Sequence, residues 1–106
     1  MLITVQHLKE DRNTGEITFT DVAEVLAEGF DNVMDALEYA YRWTNNVMGS
    51  WSRTDLEDNG DYNPNVTRLV PLHEGGMGLR STSAMDRMTV NGKTYRVAFA
   101  GFKEVE

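Results

Sequence analysis

Few residues in this chain could do chemistry, and their spacing argues against catalysis. His7 and His73 lie far apart, and neither has a partner at helical or strand spacing that would complete a metal-ligand set, so zinc is not expected. Ser81, Thr82 and Ser83 supply hydroxyls just before Asp86, but no G-x-S-x-G elbow surrounds them and they read as caps or turn formers. Gly75, Gly76 and Gly78 lack the following Lys-Ser or Lys-Thr of a phosphate cradle. The segment DLEDNGD puts Asp55, Glu57, Asn59 and Gly60 at the first, third, fifth and sixth positions of a calcium loop. Val66, however, stands where a bidentate carboxylate is needed, and Pro64 obstructs the exiting helix. An acidic, solvated turn is the expectation there. With no convergent nucleophile, base and oxyanion donors, the sequence predicts neither enzymatic activity nor a cofactor.

Aromatic side chains among acids suggest recognition instead. Tyr39, Trp43, Trp51 and Tyr62 lie in the same stretch as Asp35, Glu38, Asp55 and Asp58. Trp and Tyr concentrate at interfaces when they are not in the core. Most of these rings are expected to pack a long loop onto a helix, with one or two left beside the acids as a protein-binding surface.

The elements that must position these residues follow from periodicity. The chain has 106 residues, 41% of them apolar, which suits one α+β domain over 1–106 with a single core. It has no Cys, so disulfides and thiolate chemistry are excluded. No apolar run approaches the roughly 20 residues of a membrane span, and no basic-then-apolar leader opens the chain, so a cytoplasmic location is expected. LITVQHL and EITFTDVAEV, separated by Asn13 and Gly15, read as an N-terminal hairpin, although Thr20 could instead cap a helical turn. From Asp31 to about Met48, Val33, Leu37, Ala40, Tyr41, Thr44 and Met48 recur at helical steps. Asp31 is the expected N-cap, Gly49 the stop, and Glu38 and Arg42 an ion pair. A second stripe, Ala36, Tyr39 and Trp43, lies off that face. Residues 50–78 form a long aromatic-containing loop in which TRLVPL could be an edge strand ended by Pro71. Asn91-Gly92 predicts a two-residue type I′ turn that sets Val90 opposite Lys93, Thr89 opposite Thr94 and Met88 opposite Tyr95. Met88, Val90, Tyr95, Val97 and Phe99 would then share the apolar face. An antiparallel sheet made of the N- and C-terminal hairpins, packed on one main helix, is the expected architecture.

Charge is divided unevenly along the chain. Residues 1–64 carry 13 acids against 4 bases and residues 65–106 carry 4 acids against 6 bases, within a total of −7. This favours a basic protein surface as partner and disfavours nonspecific nucleic-acid binding.

The stretches YRWTNN (41–46), GSWS (49–52), DYNP (61–64), LRSTS (79–83) and VNGKTYRVAFAGF (90–102) resemble a group of short uncharacterised proteins of bacteriophages and plasmids, especially those of actinobacteria. The ending S-x-S-x-x-D, an apolar strand, Tyr and Gly-Phe also resembles a module of mobile-element proteins. Where those often have Gly before the Asp, this chain has Met85. The resemblance implies a phage or mobile-element origin and carries no established activity. Together these readings lead to the expectation of a small accessory protein that binds a host or phage protein through its acidic, aromatic surface, with homodimerisation left open. The rival expectation is a regulator that mimics nucleic acid, or binds it through Arg68, Arg80, Arg87 and Arg96.

Overall fold

A computed structural model describes residues 1–56 and 58–105; Glu57, the third position of the calcium-loop comparison, lies outside the described residues. The strands are β1 (Leu2–Glu10), β2 (Ile17–Leu26), β3 (Val66–Arg68), β4 (Arg87–Val90), β5 (Lys93–Val97) and β6 (Phe102–Glu104), with one α-helix, α1 (Val33–Trp43), between β2 and β3. They form one antiparallel sheet in the order β3-β2-β1-β4-β5-β6. The architecture is therefore the expected α+β one, a sheet built from N- and C-terminal hairpins and covered by one helix.

Alternation decides which sheet face is covered. Ile3 and Val5 of β1, Met88 and Val90 of β4, and Tyr95 and Val97 of β5 are buried in one core with the helix residues Ala36, Leu37 and Ala40, and His7, farther along β1, is buried against Trp51. Thr4, Gln6, Thr89, Thr94 and Arg96 alternate with them and stay partly exposed on the opposite face. In β2 the alternation breaks, because Val5 pairs with Ala23 whereas Gln6 pairs with Asp21, leaving Val22 as a bulge residue. Val22 and Ala23 are both buried as a result, and this slip is what made Thr20 onward resemble a helical start.

The Asn91-Gly92 turn forms as expected, whereas in the first turn Gly15 alone, and not Asn13, takes a positive φ. Gly15 adopts φ +73°, and the Asp11 carboxylate accepts the N–H groups of Asn13 and Thr14. Asn91 (φ +53°) and Gly92 (φ +76°) provide the two positive φ angles of the type I′ turn, and the pairs Val90–Lys93, Thr89–Thr94 and Met88–Tyr95 form as expected. Phe99 is a correction. The strand ends at Val97, Ala98 donates to the Gly101 carbonyl across a new turn, and the Phe99 ring is fully exposed rather than in the core. Past that turn runs β6, which the sequence reading did not anticipate.

The helix also needs correction at both ends. Its N-cap is Asn32, whose Oδ1 accepts Met34 N–H at 2.7 Å, not Asp31. It stops at Trp43, well before Gly49. Thr44 turns its hydroxyl back onto the Ala40 carbonyl at 2.8 Å, and the N–H groups of residues 47–49 bond a side chain instead of the preceding turn. Met48 is accordingly 75% exposed. The edge strand is Val66–Arg68, shorter than expected and complete before Pro71.

Candidate functional site

The chain between the helix and β4 has little regular structure, and two buried carboxylates hold it. The first is Asp61. Its Oδ2 accepts N–H of Val47 at 2.8 Å, Met48 at 3.1 Å and Gly49 at 2.8 Å, and Arg42 Nη1 approaches Oδ1 to 3.2 Å. Burial alone would raise this carboxyl, but the three N–H groups and Arg42 outweigh it and hold Asp61 below the usual carboxylate range. Arg42 thus pairs with Asp61 rather than with the expected Glu38, and its guanidinium lies 4.1 Å from the Trp43 ring centre. Asn59 completes the loop by accepting Ser50 N–H at 3.0 Å and donating to the Ser50 carbonyl. The Asn59 side chain packs so closely that a Cβ on Gly49 would sit 2.1 Å from its Oδ1. Close approach, not helix termination, is the reason for Gly49. The outcome is a fixed turn with Val47 61% and Met48 75% exposed.

The second carboxylate, Asp86, joins the loop to the sheet. Arg80 reaches it with both terminal nitrogens, at 2.7 and 2.8 Å, and the N–H groups of Leu8 and Ser83 each donate at 2.8 Å. Burial would raise its pKa, yet Arg80 and the two N–H groups keep Asp86 below the usual range. His7 lies beside it. Burial lowers the His7 pKa to about 4; Asp86 raises it and Arg80 lowers it further. Its Nε2 meets Thr82 Oγ1 at 2.9 Å, and Thr82 donates on to Thr44 Oγ1 at 2.9 Å.

A hydroxyl, an imidazole and a carboxylate therefore converge, but not as a catalytic relay. Nε2 is the atom nearest both Thr82 and Asp86, the latter at 4.0 Å, whereas a relay needs the carboxylate on the other ring nitrogen. Thr82 is also only 1% exposed, so its hydroxyl is closed to a substrate. The cluster is a satisfied structural knot. One side of it, with Leu8, Val22, Val70 and Leu79, lines an open, mainly apolar cleft of about 370 Å³. Among the described residues, no group of three or more His, Asp or Glu is placed to hold a metal.

Comparison with family models, curated proteins and solved structures finds no match.

The residues picked out from sequence separate into several environments. Trp51 is 1% exposed; its indole N–H donates to the Arg80 carbonyl at 2.8 Å and its ring meets His7 edge-on. It belongs to the core and is removed from the binding surface. Tyr39 is half-buried against Phe30, its hydroxyl accepting from Asn63 and Asn65. Trp43 is also half-buried, and Tyr62 is exposed on the loop next to Asp61. At 100° per residue, Tyr39 and Trp43 occupy one flank of α1 and Glu38 the other, with Asp35 and Arg42 on the ridge between them. Glu38 faces Phe99, Tyr41 and Phe102 across a shallow depression. Asp55 and Asp58 are exposed on the next turn, where Arg53 bonds Asp55 at 3.2 Å and lowers its pKa.

Sequence reasoning missed Val47, Met48 and Phe99 as exposed apolar groups, and His7, Arg80 and Asp86 as one cluster. The long-range partnerships gave no local signal, since Leu8 and Asp86 are 78 positions apart. One signal was available: the stretches YRWTNN, GSWS and LRSTS contain groups that bond one another here, the Asn46 N–H donating to the Ser81 hydroxyl and the Leu79 N–H to the Ser52 hydroxyl.

Proposed function

We propose that this chain is a cytoplasmic accessory protein of a bacteriophage or mobile element that acts by binding a host or phage protein. The contact surface is the ridge of α1 with the adjoining turn: Trp43, Val47, Met48 and Tyr62 as apolar anchors, with Asp35 on the ridge beside them and Glu38 on the far flank of the helix. The observation that carries this reading is the Asp61 clamp. Three backbone N–H groups and an arginine converge on one carboxylate, and two large apolar side chains are displayed on the turn it fixes. A loop already ordered before contact loses less conformational freedom on binding, so apolar area on it converts more fully into affinity. The acids add a preference for a basic partner. The origin rests on the resemblance of the loop and hairpin stretches.

Affinity capture from host lysate, with wild type against Val47→Asp/Met48→Asp, tests the proposal. Both positions are exposed, so the variant should melt like wild type. Loss of a wild-type-specific protein is the expected result; identical retained sets would remove this surface from the account.

A further inference from the structure

The cleft beside the Asp86 cluster holds an acceptor that nothing in the chain uses. It lies between the β1–β2 hairpin and the chain that returns past Val70 and Leu79, and its volume of about 370 Å³ falls near the lower end of the roughly 300–1,000 Å³ usual for small-molecule sites. Val22 and Leu79, both buried, and the half-buried Val70 make its walls apolar. His7, also buried, is the polar group among them. A chain of hydroxyls decides which of its nitrogens carries the proton. Thr44 Oγ1 donates to the Ala40 carbonyl, which can only accept, so Thr82 must donate to Thr44, and the Thr82 oxygen is left to accept from His7 Nε2. Burial keeps the imidazole neutral, so Nδ1 has no hydrogen and is an acceptor. Among the described residues nothing donates to Nδ1. The fully enclosed side-chain polar atoms without a partner are Arg42 Nη1, Ser50 Oγ and Arg87 Nε, so Nδ1 is open to the cleft that its ring lines.

We infer that this cleft binds a compact, uncharged, mainly apolar molecule whose N–H or O–H group donates to His7 Nδ1. Charge decides against the alternatives. For an anion the lining offers Lys9 and Arg80, but both terminal nitrogens of Arg80 are taken up by Asp86, Leu8 and Ser81. Lys9 stands at the exposed mouth and also borders a second depression with Asp11 and Glu16, whose charges offset its own. An ammonium ligand would meet those two cations and, among the described residues, no carboxylate in the lining. A neutral donor has neither conflict. It fills the apolar space and completes the inner polar atom, which is how small-molecule sites combine affinity with orientation. Thr20 and His73 line the cleft too, but both are exposed, so neither needs a ligand to be hydrated. None of the lining residues belongs to the protein-binding surface proposed above, so the two readings can fail separately.

Amide chemical-shift titration of the full chain with indole, and with benzofuran as a molecule of similar shape that has oxygen in place of the N–H, provides the test. Indole should shift the amides of His7, Leu8, Val22, Val70 and Leu79 saturably at millimolar concentration. Benzofuran should bind at least about 5-fold more weakly, since it covers Nδ1 and leaves it unbonded. In His7→Phe, which keeps a flat ring and removes the acceptor, the preference for indole should vanish. Should that variant not fold, the two ligands compared on wild type decide by themselves. No saturable shift at the cleft, equal affinities on wild type, or tighter binding of indole-3-propionate than of indole would each overturn the inference, the last by making Lys9 or Arg80 the anchor for an anion.

Discussion

Asp61 and Asp86 are the same device used for different ends. Each is about 1% exposed, accepts several backbone N–H groups and is approached by an arginine. Asp86 collects its partners from β1 and from residues 80–83, so it fastens the loop to the sheet beside a buried, neutral imidazole. Asp61 collects only the helix end and the following turn, so it gives the loop its own shape. A buried carboxylate can thus replace secondary structure in two ways, by attaching a segment or by folding it. The second leaves Val47 and Met48 exposed on the segment it shapes.

Trp51 links the two clusters, through its backbone N–H to Asn46 and its indole N–H to Arg80, and its loss gives the largest expected effect. Trp51→Ala should destabilise by about 3–5 kcal/mol in chemical denaturation, the range for emptying a buried large aromatic site. Asp86→Ala follows at about 3 kcal/mol, because it leaves the Leu8 and Ser83 N–H groups unbonded and Arg80 without its anion. Asp61→Ala should cost only about 2 kcal/mol, since the N–H groups it abandons lie near water, but it should abolish partner capture. Equal stability losses, or capture that survives Asp61→Ala, would erase the distinction between the two carboxylates.

The pH dependence sharpens it. Burial lowers the His7 pKa to about 4 from its ordinary 6.5, so the unfolded chain takes up the proton first and stability falls as pH drops from about 6.5 to about 4. The slope in that window should reach at most about 1.4 kcal/mol per pH unit. Melting curves of wild type and His7→Gln should diverge there; parallel curves would mean that the imidazole is not held neutral. Asp61 and Asp86, both depressed, stabilise above the unfolded carboxylate range and lose that contribution only at lower pH. The smallest effect concerns Met85, which holds φ +81° in the turn before Asp86. Met85→Gly should relieve strain there and stabilise by about 1 kcal/mol, and a lower melting temperature would refute the strain.

The terminal hairpin was legible in detail because Asn91-Gly92 fixes register locally, and alternation on either side does the rest. The helix was legible at its centre, at Leu37 and Ala40, but not at its ends. Its stop depends on a carboxylate more than a dozen positions away, and Asn32 rather than Asp31 supplies the cap. The two Trp residues were alike in sequence, yet Trp51 is in the core and Trp43 only half covered. What separates them is the path of the loop, which Asp61 and Asp86 set through contacts that no periodicity encodes.

Asp61 holds the turn at 47–49 in the free chain. Amide hydrogen exchange of the free protein measures this directly. Val47, Met48 and Gly49 should be protected in wild type and lose that protection in Asp61→Asn while the strands keep theirs. Exchange of these three amides in wild type at the rate of unstructured chain would contradict it.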